Sequence, residues 1–153
     1  KYFEDFKFKH PVPNDIKRTA EKVSGMELNW YLKDWTQTTN TIDYGIKSVE
    51  ADGEGTNVTM ERIGEMPMPL DILVVGKDGT QQTLYVPLRM MFGEKDNPYP
   101  NLKRTVLEDW PWAYPTYEFT LDMPLDNVQA IMIDPSQLMA DVNGENNVYQ
   151  AEE

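Results

Sequence analysis

Hydrophobic residues in the first part of the chain recur with the period of an α-helix. Ile16, Ala20 and Val23 are spaced at i, i+4 and i+7, and charged residues occupy the other side. Asn14, which follows a proline, is a typical helix start, and Gly25 is a typical helix end. The pattern predicts an amphipathic helix between these two residues.

A second helix is predicted up to about Trp35. Ser24 and Glu27 have the spacing of a capping box, in which each side chain satisfies a free backbone N–H of the other residue. The apolar positions form two stripes, one of Leu28, Tyr31, Leu32 and Trp35 and the other of Met26 and Trp30. Because a short helix that is apolar on two sides needs two covering surfaces, we expect it to lie between two layers.

From residue 42 onward the hydrophobic period changes to two, which is typical of half-buried strands. Asp52-Gly53 and Lys77-Asp78-Gly79 predict tight turns. A long excursion is predicted over 89–104 and an irregular tail over the last twenty residues. About seven short strands predict a mainly β fold, an immunoglobulin-like β-sandwich preceded by two short α-helices. The chain thus divides into a helical segment, 1–36, and a β-sandwich domain, 37–153.

The charge is strongly acidic and unevenly distributed. The chain carries a net charge of −12, and all 14 Lys and Arg residues lie at or before Arg104. From Thr105 to the end there are ten acidic residues and no basic ones. Such a surface repels phosphate groups, so neither nucleic acid nor membrane is expected as a partner. A solvated acidic face is one interpretation, and a basic neighbour or bound cations are the others.

The residues offer little catalytic chemistry. His10 is the only histidine and there is no cysteine, so a two-histidine zinc site and a cysteine nucleophile are excluded. Glu108 and Asp109 are adjacent and would point to opposite faces of a strand, so they do not predict a glycosidase pair. We expect no catalytic, cofactor-binding or metal-binding residue in this chain.

Two further patterns leave alternatives open. Asp141, Asn143 and Glu145 alternate like the first ligands of a calcium loop, although Gly144 is not at the position such a loop requires. An aromatic cluster lies around two prolines, and its members are Trp110, Trp112, Tyr114 and Tyr117. If exposed, this cluster suits a stand-alone module that binds carbohydrate or peptide. If buried, it closes one end of the sandwich.

The segment 15–35 (DIKRTAEKVSGMELNWYLKDW) resembles the closing helices of the catalytic domain in the aminopeptidase N-like zinc metallopeptidases, which are gluzincins. The matching residues are Asp15 with Ile16, Glu21, Ser24-Gly25, Leu28, Trp30-Tyr31 and Trp35. GEMPMP (64–69), VPLRMM (86–91) and EDWPWAYPTY (108–117) are similar to a bacterial subgroup of that family. The subgroup's closing D-P-S-Q…D-x-N segment is matched by 134–137 and 141–143.

The resemblance implies that 1–36 is the helical tail of a catalytic domain and that 37–153 is the non-catalytic C-terminal β-sandwich of a zinc aminopeptidase. Its role would be structural, supporting the catalytic domain and access to the active site. The H-E-x-x-H helix and the zinc are expected upstream of Lys1, so this chain would hold no cofactor. The family also implies a periplasmic or exported protein. One departure is that 36–41 replaces the Gly-x-Pro that usually follows the family's Trp.

The chain begins without Met and within an aromatic-rich stretch, so we expect it to be a piece of a longer protein. Its partner would be the missing catalytic domain. In the absence of that domain, an apolar patch around 2–8 and 26–35 is expected to be exposed. We therefore also expect self-association through this helical face.

Overall fold

The computed structural model describes residues 1–152 and contains three α-helices and eight β-strands. The helices are α1 Tyr2–Phe6, α2 Pro13–Ser24 and α3 Asn29–Gln37. The strands are β1 Tyr44–Asp52, β2 Gly55–Arg62, β3 Leu70–Gly76, β4 Gln81–Val86, β5 Lys103–Val106, β6 Thr116–Leu121, β7 Val128–Ile133 and β8 Val148–Gln150. Short 3-10 turns occur at Arg89–Met91 and Leu125–Asn127.

The strands form two sheets. One has three strands in the order β1-β2-β6, and the other has five in the order β5-β4-β3-β7-β8. All pairings are antiparallel except that of β4 with β5. The predicted mainly β sandwich preceded by short helices is therefore confirmed. Within the described residues it has eight strands instead of about seven, and three helices instead of two.

The core consists of the apolar residues that alternate along the strands of both sheets. Val58 and Met60 of β2 are completely buried, as is Ile72 of β3. Both predicted hairpin turns are present, with Gly53 and Gly79 at positive φ angles of 61° and 82°. The two-residue period predicted from residue 42 onward agrees with the burial of Val58, Met60 and Ile72, whereas Ile63 after β2 is 54% exposed.

The helix boundaries differ from the prediction at one point. Gly25 ends α2 as expected, with φ 71° and its N–H donating to the carbonyl of Glu21 at 2.9 Å. The predicted capping box is wrong, because Ser24 is the last residue of α2 and α3 begins only at Asn29. Glu27 instead accepts a hydrogen bond from the N–H of Asn29 at 3.0 Å, which turns the chain into α3.

Two short strands lie where irregular structure was expected. β5 falls at the end of the predicted excursion and pairs in parallel with β4. β8 falls in the predicted irregular tail and pairs with β7. Both are edge strands of three or four residues, so their pairing depends on a distant partner and leaves almost no periodic signal in the sequence. Among the described helices, none has the length and apolar character needed to cross a membrane.

Candidate functional site

The helical segment presents an exposed apolar face. No residue of α1, α2 or α3 is buried. Phe3 is 72% exposed and Phe8 is fully exposed. The other large apolar side chains exposed in this segment are those of Val12, Ile16, Val23 and Trp35. Of the two stretches expected to form a patch, 2–8 contributes Phe3 and Phe8, whereas 26–35 contributes only Trp35. Exposed apolar residues also occur on and just before α2, at Val12, Ile16 and Val23.

Residues of both predicted stripes of α3 lie against the sandwich. Tyr31 packs against the core, and the N–H of Glu27 donates to the carbonyl of Met91 at 2.8 Å. A cavity of about 200 Å³ remains at this junction. Its lining residues are Met26, Leu28, Trp30, Tyr31, Met68, Pro69, Met91 and Lys95. The first turn of α3 therefore has a partner surface within the chain, whereas Trp35 in its last turn is 49% exposed.

The four predicted aromatic residues divide into two pairs, which corrects the expectation of a single cluster. Trp110 is 3% exposed, and its ring stacks on that of Tyr117 with centroids 5.3 Å apart. Burial, together with the nearby carboxylates of Glu108 and Asp109, raises the pKa of Tyr117 to about 12. These two rings close part of the core, as the structural interpretation predicted.

Trp112 and Tyr114 lie on the outside of the same loop and are 61% and 62% exposed. The backbone of this loop is fixed by two side chains. The indole N–H of the buried Trp110 donates to the carbonyl of Tyr114 at 2.9 Å. The guanidinium of Arg62 on β2 donates to the carbonyl of Trp112. Two exposed aromatic side chains are therefore presented on an anchored backbone.

The remaining candidates from the sequence are His10 and the adjacent carboxylates of Glu108 and Asp109. His10 lies exposed in the connection between α1 and α2. Glu108 is exposed, and its backbone carbonyl accepts the hydroxyl of Tyr117 at 2.7 Å. Across residues 1–152, no group of three or more His, Asp or Glu side chains is arranged to hold a metal ion.

The loop that carries the calcium-like pattern has a structural role. One carboxylate oxygen of Asp141 accepts the backbone N–H of Tyr44 at 3.0 Å, and the other accepts that of Asn143 at 2.9 Å. The side-chain amide of Asn146 donates to the carboxylate of Asp43 at 2.9 Å. The loop thereby fastens to β1 and bridges the two sheets.

This loop also borders a cavity of about 440 Å³ that sequence reasoning missed. Asp141 and Glu145 line it, whereas Asn143 does not. The only sequence signal was the run of acidic residues without a basic one, which gives the charge of the surface but not its shape.

The chain matches no protein-family model, no curated protein and no solved structure. None of these comparisons tests the resemblance to aminopeptidases, which stays an expectation from the segment 15–35 and the shorter stretches described above.

Proposed function

We propose that this chain is a non-catalytic β-sandwich that forms the C-terminal part of a zinc-dependent aminopeptidase. It supports the catalytic domain and shapes access to the active site. The observation that carries the proposal is the helical segment, in which no residue is buried although six large apolar side chains are exposed. Several exposed large apolar side chains in one segment support a contact with another protein surface.

The helical segment differs from the sandwich in charge as well as in burial. Residues 1–36 contain seven basic and six acidic residues, whereas 37–153 contain seven basic and twenty acidic ones. A helical segment with nearly balanced charge next to an acidic sandwich suits a segment that belongs to the adjoining domain. The resemblance of 15–35 to the closing helices of a catalytic domain supports the proposal that the adjoining domain is the catalytic domain of the aminopeptidase.

In this proposal the partner of the helical face is the catalytic domain, which holds the zinc and all catalytic residues. The sandwich has no catalytic residue of its own, and the intact protein is exported to the periplasm or beyond. Peptide hydrolysis then belongs to the intact chain.

The direct test is the coding sequence upstream of Lys1. An H-E-x-x-H motif followed by a downstream glutamate is expected there. A stop codon or an unrelated domain in that position would overturn the proposal. The purified chain, supplied with zinc, is expected not to hydrolyse an aminoacyl p-nitroanilide, and hydrolysis abolished by a chelator would also contradict it.

A second candidate is a stand-alone binding module for carbohydrate or peptide. The observation that favours it is the anchored loop with Trp112 and Tyr114 exposed, because such rings stack on sugars and prolines. Glycan-array binding that is lost in Trp112→Ala and retained in Phe8→Asn would support this function. A glycan array without specific binding would contradict a carbohydrate-binding function.

A further inference from the structure

The loop between β7 and β8 contains an asparagine followed directly by glycine. The chain has ten asparagines, and only Asn143 precedes a glycine. Both Asn143 and Gly144 are exposed. Asparagine is a thermally labile residue, and its side-chain amide can react with the backbone nitrogen of the residue that follows it. The pair is therefore a candidate for a reaction between a side chain and its own backbone.

The backbone nitrogen that would attack is accessible. Among the backbone hydrogen bonds of residues 1–152 outside the helices and strands, none is donated by the N–H of Gly144. A Cβ atom added at Gly144 would meet nothing within 4 Å, so the backbone there stands in open space. Glycine also has no side chain of its own to hinder the approach of its nitrogen. The nucleophile is thus neither hydrogen bonded within the loop nor shielded.

The amide that would be attacked is not held in place. Asn143 enters the hydrogen bonds of the described chain only through its backbone N–H, which donates to the carboxylate of Asp141 at 2.9 Å. Two other asparagines in the same loop differ from it. The amide of Asn146 donates to the carboxylate of Asp43 at 2.9 Å, and Asn147 is only 7% exposed. Neither of these two is followed by glycine.

We propose that Asn143 is a modification site at which the side-chain amide is lost by spontaneous deamidation. The backbone nitrogen of Gly144 loses its proton to solvent and bonds to Cγ of Asn143. The Cγ–Nδ2 bond breaks, and Nδ2 leaves as ammonia with a proton from solvent. Water then opens the resulting cyclic imide. Attack of water at Cγ gives aspartate, whereas attack at the backbone carbonyl carbon gives an isoaspartyl linkage. The net change is amide plus water to carboxylate plus ammonium.

The isoaspartyl product lengthens the backbone by one carbon inside a loop that is fastened on both sides. Before the site, the carboxylate of Asp141 accepts a backbone N–H of β1 at 3.0 Å. After it, the N–H of Ile46 on β1 donates to the carbonyl of Asn146 at 2.9 Å. The N–H of Ile133 on β7 donates to the carbonyl of Asn147 at the same distance. Since β1 and β7 belong to different sheets, the modification is expected to weaken a connection between the sheets. This goes beyond the function proposed above and does not depend on it.

The test is peptide mapping of the purified chain after incubation in mildly alkaline buffer made with heavy-oxygen water. The protease is one that cleaves after acidic residues, because no Lys or Arg follows Arg104. Digestion in ordinary water ensures that heavy oxygen marks only the reaction of the folded protein. Residue 143 is expected to gain the mass of an amide-to-acid change and one heavy oxygen, as a mixture of aspartyl and isoaspartyl forms. Fragmentation is expected to leave 146 and 147 unchanged.

Two variants and a reference peptide make the result decisive. Gly144→Ala keeps the open surroundings of the loop and is expected to slow the reaction at least about tenfold, because a Cβ atom hinders the attacking nitrogen. Asn143→Gln is expected to give no product at this position. The free peptide of residues 140–147 sets the time over which the folded chain is expected to react. An unmodified residue 143 in the folded chain when the peptide has reacted would overturn the proposal. Equal rates in Gly144→Ala and the parent chain, or earlier reaction at another asparagine, would do the same.

Hydrogen exchange tests the structural consequence. Exchange at Ile46 and Ile133 is expected to be faster in the isoaspartyl form than in Asn143→Asp, which adds the same charge without lengthening the backbone. Equal exchange in the two would contradict a weakened connection between the sheets.

Discussion

The indole ring of Trp110 stacks on the phenol ring of Tyr117, with ring planes 29° apart and centroids separated by 5.3 Å. Trp110 also meets the ring of Tyr44 edge-on at 5.5 Å, and its backbone N–H donates to the carbonyl of Pro87 at 2.9 Å. One residue therefore joins the end of β4 in the five-stranded sheet to β1 and β6 in the three-stranded sheet.

The first prediction concerns this junction. Trp110→Ala is expected to lower the free energy of unfolding by about 3–5 kcal/mol, because it removes a buried ring with two aromatic contacts and a hydrogen bond. Trp112→Ala on the same loop is the control and is expected to change it by about 0.5 kcal/mol or less. Urea denaturation measures both. Similar losses in the two variants would show that the two pairs of rings are not distinct in burial.

The second prediction is a loss of stability at alkaline pH. Burial is the main cause that raises the pKa of Tyr44 from 10.0 to about 12, and the pKa of Tyr117 is raised to about 12 in the same way. Above pH 10 an unfolded tyrosine ionises, while these two remain protonated in the folded protein. Ionisation therefore stabilises the unfolded state relative to the folded state. The contribution of these two tyrosines to the free energy of unfolding is therefore expected to be constant below pH 10 and to fall as the pH rises toward 12.

Chemical denaturation at several pH values, compared with tyrosinate absorbance of the folded protein, measures this effect. Tyr44→Phe removes one of the tyrosines whose pKa is raised and is expected to make the alkaline decline shallower. The same variant leaves the N–H of Met68 without its 2.8 Å acceptor, so it is also expected to be less stable near neutral pH, by about 1–2 kcal/mol. A decline of unchanged slope in Tyr44→Phe would contradict the assigned cause.

Most of the fold could be predicted because it depends on local patterns. The alternation of Ile72 and Val74 with their neighbours identified a core strand, and Gly25 identified a helix end. β5 and β8 could not be predicted, because three or four residues become a strand only when a distant strand lies beside them. The start of α3 was misplaced because Ser24 and Glu27 have the spacing of a capping box. Ser24 is instead the last residue of α2, and α3 begins only at Asn29.

The candidate sites were less predictable for the same reason. Trp110 and Trp112 are two residues apart and chemically identical, and only the packing of the loop makes one core and the other surface. The side-chain oxygen of Asn147 is buried without a hydrogen-bond partner among the described residues, and no local sequence pattern indicates this. Composition gave the acidic charge of that region, but it could not give a cavity.

The third prediction tests a close backbone approach at Gly64. A methyl group added there would lie 2.3 Å from the carbonyl oxygen of Thr41 and 2.6 Å from the backbone nitrogen of Asp43. Neither backbone atom can move freely, because the N–H of Gly64 also donates to the carbonyl of Asp43 at 2.9 Å. Gly64→Ala is therefore expected to lower the free energy of unfolding by about 1–3 kcal/mol. Gly144→Ala, which meets nothing within 4 Å, is the matched control, and thermal denaturation of both separates a steric cost from a general effect of alanine.

The fourth prediction concerns the ion pair that connects the long loop, residues 89–104, to β3. The carboxylate of Asp71 is 6% exposed and contacts the ammonium group of Lys95, which is 42% exposed. The backbone of Lys95 is also held, since its N–H donates to the hydroxyl of Tyr85 and its carbonyl accepts Arg104, both at 3.1 Å. Lys95→Met is expected to cost about 1–3 kcal/mol, because it leaves a buried carboxylate without its cation.

Its control is Lys103→Met, an exposed residue outside the three ion pairs of the described chain, for which a change within about 0.5 kcal/mol is expected. Asp71→Asn in the Lys95→Met background is expected to recover part of the loss, because it removes the stranded charge. A double variant as unstable as the sum of the two single variants would show that the pair is not coupled.

The last prediction follows from the exposed helical face. Phe8 contacts solvent over its whole side chain and has φ 63°, a left-handed conformation that asparagine tolerates better than phenylalanine. The chain is expected to self-associate across a concentration series in sedimentation velocity, since burial of Phe3, Phe8 and Trp35 removes apolar surface from water. Phe8→Asn combined with Trp35→Ser is expected to shift it toward monomer. Leu138→Ser removes an equally exposed apolar residue, at 86%, from the sandwich and is expected to leave the association intact. A chain that is monomeric throughout the series would show that this apolar surface does not drive self-association.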